Sequence, residues 1–443
     1  MHPNALITAC AQLVAQALTF EHPADAVVSR FFRENRGLGQ RERAALAETV
    51  YTVLRKKLLF DHMAPSGSGP RERRMAILGY AHWQDEEARR TNPQAVHGAR
   101  DFLRGALTDR EQQWLEQCDA VQQDDLLERH RHNLPEWLAE PLKAQLGKEF
   151  WPLVQSLSTG AALDLRVNEF KEKRSQVQAE LAQAAIKTEA TPYSPWGLRA
   201  VGKPQLSKLP AFTRGAIEVQ DEGSQLLTLL VDAKRGEMVV DFCAGAGGKT
   251  LALGASMRST GRLYAFDVSA HRLDALKPRL KRSGLSNVHP AAIAHERDER
   301  IKRLSGKIDR VLVDAPCSGL GTLRRNPDLK WRQSPKSIEE MTAKQTAILA
   351  SAARLLKPGG RLVYATCSVL TQENEAIAEA FGAAHPDFEP LEVADLLEHL
   401  KVPEAASLCS GGAGDAPSTR YLRLWPHRHH TDGFFAAVWR RKA

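Results

Sequence analysis

Asp241-Phe242-Cys243-Ala244-Gly245-Ala246-Gly247-Gly248-Lys249-Thr250 is the stretch on which the fold turns. It follows a short apolar run, Met238–Phe242, and leads into a helical pattern, so it reads as strand, glycine-rich turn, helix. Glycines at such a turn let the backbone bend sharply and approach a ligand closely. A phosphate-binding loop of the form GxxxxGK[ST] would need glycine at 243, where cysteine stands. A dinucleotide fingerprint, GxGxxG, fails at its last position, Thr250. A third kind of loop, glycine-rich without a strict phosphate signature, is the one that holds S-adenosylmethionine.

The next strand decides among the three. Tyr264-Ala265-Phe266-Asp267 ends in an acid that could accept hydrogen bonds from both hydroxyls of a nucleoside ribose. Its bland alternative is a residue in the N-cap region of the following helix. Working outward, candidate strands fall at Met238–Phe242, Arg262–Phe266, Val288–Ile293, Ile308–Val313 and Arg361–Ala365, with helical segments between most of them. One helix spans Lys336 to Leu356, opened by Ser334 and Pro335 and expected to stop at Lys357-Pro358-Gly359-Gly360. The fold class expected is α/β, a doubly wound Rossmann-like sheet whose ligands bind at the carboxyl ends of the strands.

Two more segments sit at that rim: Asp314-Ala315-Pro316-Cys317-Ser318-Gly319 after the fourth strand, and Tyr364-Ala365-Thr366-Cys367-Ser368 after the fifth. One buried cysteine is more often a small core residue, but two at neighbouring strand ends point to chemistry. Carbon 5 of cytosine is a poor nucleophile. A thiolate added at carbon 6 makes carbon 5 enamine-like, able to take the methyl of a sulfonium, and covalent catalysis of this kind divides one hard step into easier ones. Asp314 is the candidate for holding the ring nitrogen and exocyclic amine as charge develops. The residues alone leave open which cysteine attacks.

The remaining chain sets the context. Its net charge of +8 over 443 residues favours a polyanionic partner. No run of roughly eighteen uncharged apolar residues suggests a membrane span, and the first twenty residues lack the pattern of a signal peptide. Six scattered cysteines without a CxxC pair argue against a disulfide framework or a structural zinc site, so no metal is expected and a reducing cytoplasm fits. Residues 1–150 read as helical, with Val50, Val53, Leu54 and Leu58 at helical spacing among Arg41, Arg43, Arg55, Lys56 and Lys57. Residues 151–215 read as a small α/β module, and residues 216–443 as the catalytic domain.

The motifs above, with Arg324-Arg325-Asn326-Pro327-Asp328 and Trp331, resemble the Sun/Fmu (RsmB/NOP-type) family of RNA cytosine-C5 methyltransferases. Gln220-Asp221-Glu222-Gly223-Ser224-Gln225 and Thr431-Asp432-Gly433-Phe434-Phe435 resemble it as well. The helical N-terminus is similar, more weakly, to the NusB-like RNA-binding domain of members acting on the small ribosomal subunit. The resemblance implies that Cys367 is the nucleophile and that Cys317 assists product release. It also implies that Cys243, Ala244, Gly245, Ala246, Gly247, Gly248 and Lys249 hold S-adenosylmethionine, Asp267 its ribose, and Asp314 the cofactor side and the target base. Cys317 remains the rival nucleophile, because DNA cytosine methyltransferases use the cysteine of a Pro-Cys pair.

Members usually carry an acid just after the third strand, against the cofactor adenine. Here that position falls near His295, so the expected acid is missing. Glu296 from the next position is the favoured substitute, with Asp298 reaching back across a turn, backbone and apolar contacts, or neutral His295 as the alternatives. The expected partner is RNA, ribosomal rather than transfer RNA, the expected enzyme a cytoplasmic monomer with no membrane contact. A non-catalytic RNA-binding assembly factor on the same fold is the competing expectation.

Overall fold

A computed structural model describes residues 1–91, 100–410 and 419–443. Two compact units emerge: Met1–Thr159 together with Leu323–Ser334, and Gly160–Thr322 together with Pro335–Ala443.

The first unit is helical. Leu6, Ile7, Cys10, Leu13 and Val14 recur at helical spacing along the helix Pro3–Ala17, and all are buried. That helix packs on Gln40–Arg55 and Arg71–Thr91. Gly79 permits the close approach of the last two: a Cβ there would lie 2.6 Å from Val53 Cγ2 and 2.9 Å from the Thr49 carbonyl oxygen. The carbonyls at the end of the helix Gln40–Arg55 lack intrahelical partners. Trp331 Nε1 donates to the Leu54 carbonyl and Lys330 Nζ to the Arg55 carbonyl, each at 2.8 Å. The segment Leu323–Ser334 is thus a structural part of the helical unit, with Trp331 packed against its core.

The second unit holds two sheets. The smaller is antiparallel, formed by β1 (Leu163–Val167), β2 (Thr188–Ala190), β3 (Gly197–Ala200) and β4 (Ile217–Val219) in the order β2-β3-β1-β4. The larger is built on β5 (Met238–Asp241), β6 (Arg262–Asp267), β7 (Val288–Ala292), β8 (Ile308–Asp314) and β9 (Leu356–Thr366). They are parallel in the order β7-β6-β5-β8-β9, so the winding reverses between β5 and β8. β10 (Phe388–Leu391), β11 (Cys409–Ser410), β12 (Tyr421–Leu424) and β13 (Phe434–Arg441) extend the β9 edge, with β13 antiparallel to β9. Val239, Val240, Leu312 and Val363 on the central strands are fully buried, each stabilising the fold by about 1.5–3 kcal/mol.

One sequence expectation is revised. The helix after Ser334 spans Pro335–Ala353, and Lys357-Pro358-Gly359-Gly360 belongs to β9 rather than to a helix stop. The pairing jumps from Ile308–Leu356 to Arg310–Arg361, so these four residues bulge opposite Asp309. Gly359 at φ +79° makes the bend, a conformation L side chains rarely adopt.

Candidate active site

The cofactor loop leaves β5 at the point where the winding reverses, the place where open α/β sheets bind ligands. Gly247, at φ +81°, opens the helix Gly248–Ser256, and a Cβ there would sit 2.2 Å from Leu276 Cδ1. The backbone can take this path only without a side chain. Gly245 N–H donates to Asp267 Oδ2 at 2.8 Å, and Ser269 N–H donates to Oδ1 at 2.7 Å. Asp267 therefore fixes the loop, and each of its oxygens keeps a lone pair for a further donor. Asp241, buried at the end of β5, accepts from Thr250 Oγ1 at 2.7 Å, while its Oδ1 has no partner. Burial pushes its carboxyl up to about 7. Open space at Gly245, the spare acceptors of Asp267 and the unpartnered Asp241 oxygen fit a nucleoside-bearing cofactor with hydroxyl and ammonium donors.

Supports reach this loop from the smaller sheet. Glu218 on β4 accepts from Arg279 and Arg282, and Arg279 Nη1 donates to the Ala246 carbonyl at 2.6 Å. The two outlying motifs also meet. Asp221 caps the helix Glu222–Val231 through Gly223 N–H at 2.8 Å and accepts from Asp432 N–H at 3.2 Å. A Cβ at Gly223 would lie 2.5 Å from the Phe434 ring.

Across the rim, Cys317 follows β8 and Cys367 follows β9, and their sulfurs are 3.3 Å apart. The neighbouring pair of strands brings them together, with Asp314 in register with Ala365. All six cysteines are free. The hydrogen bond with Cys367, reinforced by burial, holds the Cys317 thiol well above the ordinary thiol range. Lys249 Nζ bonds Asp314 Oδ2 at 2.7 Å. Burial disfavours the ammonium, but Asp314 outweighs it and the Lys249 pKa is raised. The Cys243 thiol is likewise pushed up, by burial and then by Asp241, Asp314 and Asp267. Its side chain packs against the buried apolar cluster of the sheet.

Sequence reading missed the group that ties the two cysteine loops together. Glu373, fully buried, accepts from Ser318 N–H at 2.8 Å, Ser318 Oγ at 2.5 Å, Gln345 Nε2 at 3.0 Å and Ser368 Oγ. Asn374 beside it donates to the Ser368 carbonyl at 3.0 Å and accepts from Thr366 Oγ1. The only signal was an acid six residues beyond Cys367, in a segment that reads as an ordinary polar turn. Gly321 completes the closure: its N–H donates to the Cys367 carbonyl at 2.8 Å, and a Cβ there would lie 2.1 Å from the Gly433 oxygen.

Near the expected adenine position, Asp298 spends both oxygens on backbone N–H groups of Ala294 and Arg300, each at 2.9 Å. His295 Nδ1 accepts from Arg297 N–H at 3.1 Å. Glu296 forms a 3.6 Å ion pair with Arg297.

Comparison with known proteins agrees with this geometry. Residues 228–440 match the family described as 16S rRNA methyltransferase RsmB/F, and residues 134–205 match the RsmF/B-like ferredoxin-like domain. A probable ribosomal RNA small subunit methyltransferase B of Synechocystis sp. is 36% identical over 69% of this chain and 66% of its own. Its Bacillus subtilis counterpart is 29% identical over 91% of this chain and 92% of its own. A crystal structure of NSun6 from Pyrococcus horikoshii with SFG shares the fold, at TM-score 0.60 and 23% identity over 70% of this chain and 98% of that one. A reversing parallel sheet with a glycine loop at the switch and paired thiols at its rim, matched along most of its length, places this chain in the RsmB/F family of ribosomal RNA methyltransferases.

Proposed function

We propose that the protein methylates carbon 5 of a cytosine in ribosomal RNA through a covalent adduct of Cys367. The observation that carries this reading is the thiol pair, two sulfurs 3.3 Å apart at the carboxyl ends of adjacent strands, on the rim that also bears Lys249 and Asp314. Bound S-adenosylmethionine would supply an electrophilic methyl group, and Cys243 to Lys249 with Asp267 and Asp314 are the residues to hold it. SFG, in the NSun6 structure, is an analogue of that cofactor.

Each residue then has a task. The Cys367 sulfur forms a bond to carbon 6, and negative charge on it is stabilised by the S–H of Cys317. Asp314, held by Lys249, presents its other oxygen to the base edge. A solvent water then takes the proton from carbon 5, and the electron pair of that bond re-forms the carbon 5–carbon 6 double bond. The bond from carbon 6 to Cys367 breaks with its pair on sulfur, and the Cys317 S–H is placed to hydrogen-bond the departing thiolate. In this reading residues 1–150 serve as the RNA-binding domain, residues 151–215 as the small α/β module, and residues 216–443 as the catalytic domain. The enzyme works as a monomer in the cytoplasm, where its RNA is.

Bisulfite sequencing of ribosomal and transfer RNA from cells lacking the gene tests the substrate. One ribosomal cytosine should lose protection, regained with the wild-type gene and not with Cys367→Ala. Loss confined to transfer RNA would replace ribosomal RNA as substrate. Retained protection at every site would leave an assembly factor as the better reading.

A further inference from the structure

We propose that the helical unit carries a phosphate-binding pocket that grips one backbone phosphate of the RNA substrate, with Trp151 at its edge to stack on a neighbouring base. The inference rests on the reading of the protein as an RNA methyltransferase and adds a specific contact to it.

A cavity of about 470 Å³ lies wholly within this unit, between the end of the helix Gln40–Arg55, residues 123–158 and Lys330. That volume lies in the usual range for ligand pockets. Six basic side chains line it, Arg55, Lys56, His130, Arg131, His132 and Lys330, and no Asp or Glu does. Lys56 is partly committed, in a 3.0 Å ion pair with Glu86.

Two of the cations are buried, Lys330 and Arg55, the second with Glu48 and Glu86 in its electrostatic surroundings. Arg55, 8% exposed, gives Nη2 to the Arg324 carbonyl at 3.0 Å, but its Nε has no hydrogen-bond partner. Lys330, 6% exposed, gives one of its three donors to the Arg55 carbonyl. Burial, and then Arg55, push its pKa down to about 7. His130 Nδ1 is a further buried atom without a partner. Buried polar donors are nearly always satisfied, and each exception calls for a missing partner. Helix capping explains where Lys330 sits. It explains neither the orphaned Arg55 Nε nor an acid-free lining.

An anion rich in acceptors would satisfy these donors together. A phosphodiester has two charged oxygens and no donor, which suits a guanidinium and an ammonium facing one space. Trp151, 37% exposed with the Arg131 guanidinium 4.9 Å from its ring, offers an aromatic face beside the pocket. Phosphate capture next to a stacking platform is how proteins hold single-stranded RNA.

The test uses the full-length protein and its ribosomal RNA substrate, with binding measured across a salt series. Arg131→Ala and Lys330→Met should each flatten the plot of log K against log salt by about one unit. The loss should fall on KM for RNA rather than on kcat, and S-adenosylmethionine affinity should not change. Trp151→Ala should weaken RNA binding with the salt slope kept. Arg131→Ala guards against misfolding of the Lys330 variant, because Arg131 is an exposed side chain that lies over Trp151 and buries no helix end. A parallel series with inorganic phosphate separates the sources. Phosphate that raises the wild-type Tm but not that of the variants, with RNA slopes unchanged, would assign the pocket to a free anion and overturn the proposal. Unchanged slopes without any phosphate effect would overturn it as well. Methyl transfer by the wild-type protein to the same RNA checks the underlying reading separately.

Discussion

Removing the Glu373 carboxyl group should show whether the two cysteine loops are held by it. In Glu373→Ala the Ser318 N–H and the Gln345 amide lose their acceptor inside the core. Each buried donor left unsatisfied costs about 1–3 kcal/mol, so the variant should lose about 2–6 kcal/mol. That is a large share of a folding free energy of about 5–15 kcal/mol. Glu373→Gln should be far milder. Its oxygen can still serve Ser318 N–H and Gln345, and the Ser318 and Ser368 hydroxyls can turn to accept from its NH2. The expected cost is about 1 kcal/mol.

The catalytic consequence follows from geometry. With the strap cut, the Gly321 N–H bond to the Cys367 carbonyl and the Ser318–Ser368 hydroxyl contact still join the two loops. The shared carboxylate that aligns them is gone, however, and a misplacement of about 1 Å at reacting groups can cost about 100-fold in rate. Urea unfolding gives the stability, and single-turnover methylation of RNA gives the rate. Glu373→Ala should be slow in kcat with KM for RNA little altered, and Glu373→Gln should restore most of the rate. An alanine variant within 1 kcal/mol of the parent in stability and equal to it in kcat would refute the strap. A glutamine variant that is stable yet as slow as alanine would mean that the carboxyl acts on the chemistry and not on position.

The cysteines give the next prediction: Cys367→Ala should abolish methylation without trapping RNA, and Cys317→Ala should stall elimination and leave a protein–RNA adduct on a denaturing gel. An adduct with the Cys367 variant instead would reverse the roles. Asp241 predicts a pH dependence. Its folded pKa, about 7, is raised above the unfolded value of about 3.9, so its contribution to stability is full below about pH 4 and falls away as pH rises to about 7. Asp241→Asn should therefore gain on the parent in urea midpoint between about pH 5 and about pH 8; parallel curves would contradict the burial argument. Glu296→Gln should weaken S-adenosylmethionine binding about ten- to hundredfold in calorimetry. Asp298→Asn should instead loosen the short helix Glu299–Lys302 that it caps. Equal cofactor affinity in the Glu296 variant and the parent would remove that residue from the adenine site.

What the sequence disclosed and what it hid differ in one physical respect, the range of the interactions involved. Glycine loop, strand-end acids and strand-end cysteines are local signals, each legible because a strand must end before its ligand-binding residue begins. The parallel order then follows from short crossovers, and the 3.3 Å approach of Cys317 and Cys367 from β8 and β9 being neighbours. Lys357–Gly360 misled because proline and glycine stop helices and also make bulges, and only the pairing with Asp309 separates the two. Glu373 and Leu323–Ser334 were hidden for a stronger reason. Each acts on partners far away in the chain: Glu373 on Ser318, and Lys330 and Trp331 on the last carbonyls of a helix some 275 residues earlier. No local pattern marks such a contact, since a lysine and a tryptophan in a polar loop look the same whether they face solvent or end a helix. The excursion has a cost for domain dissection. A fragment lacking the first 150 residues would strip Lys330 and Trp331 of the acceptors they hold and bare an indole that packs in the helical core. Weak RNA binding by that fragment would then conflate a lost binding surface with a misfolded segment, whereas single substitutions at the cavity rim leave both helix and segment in place.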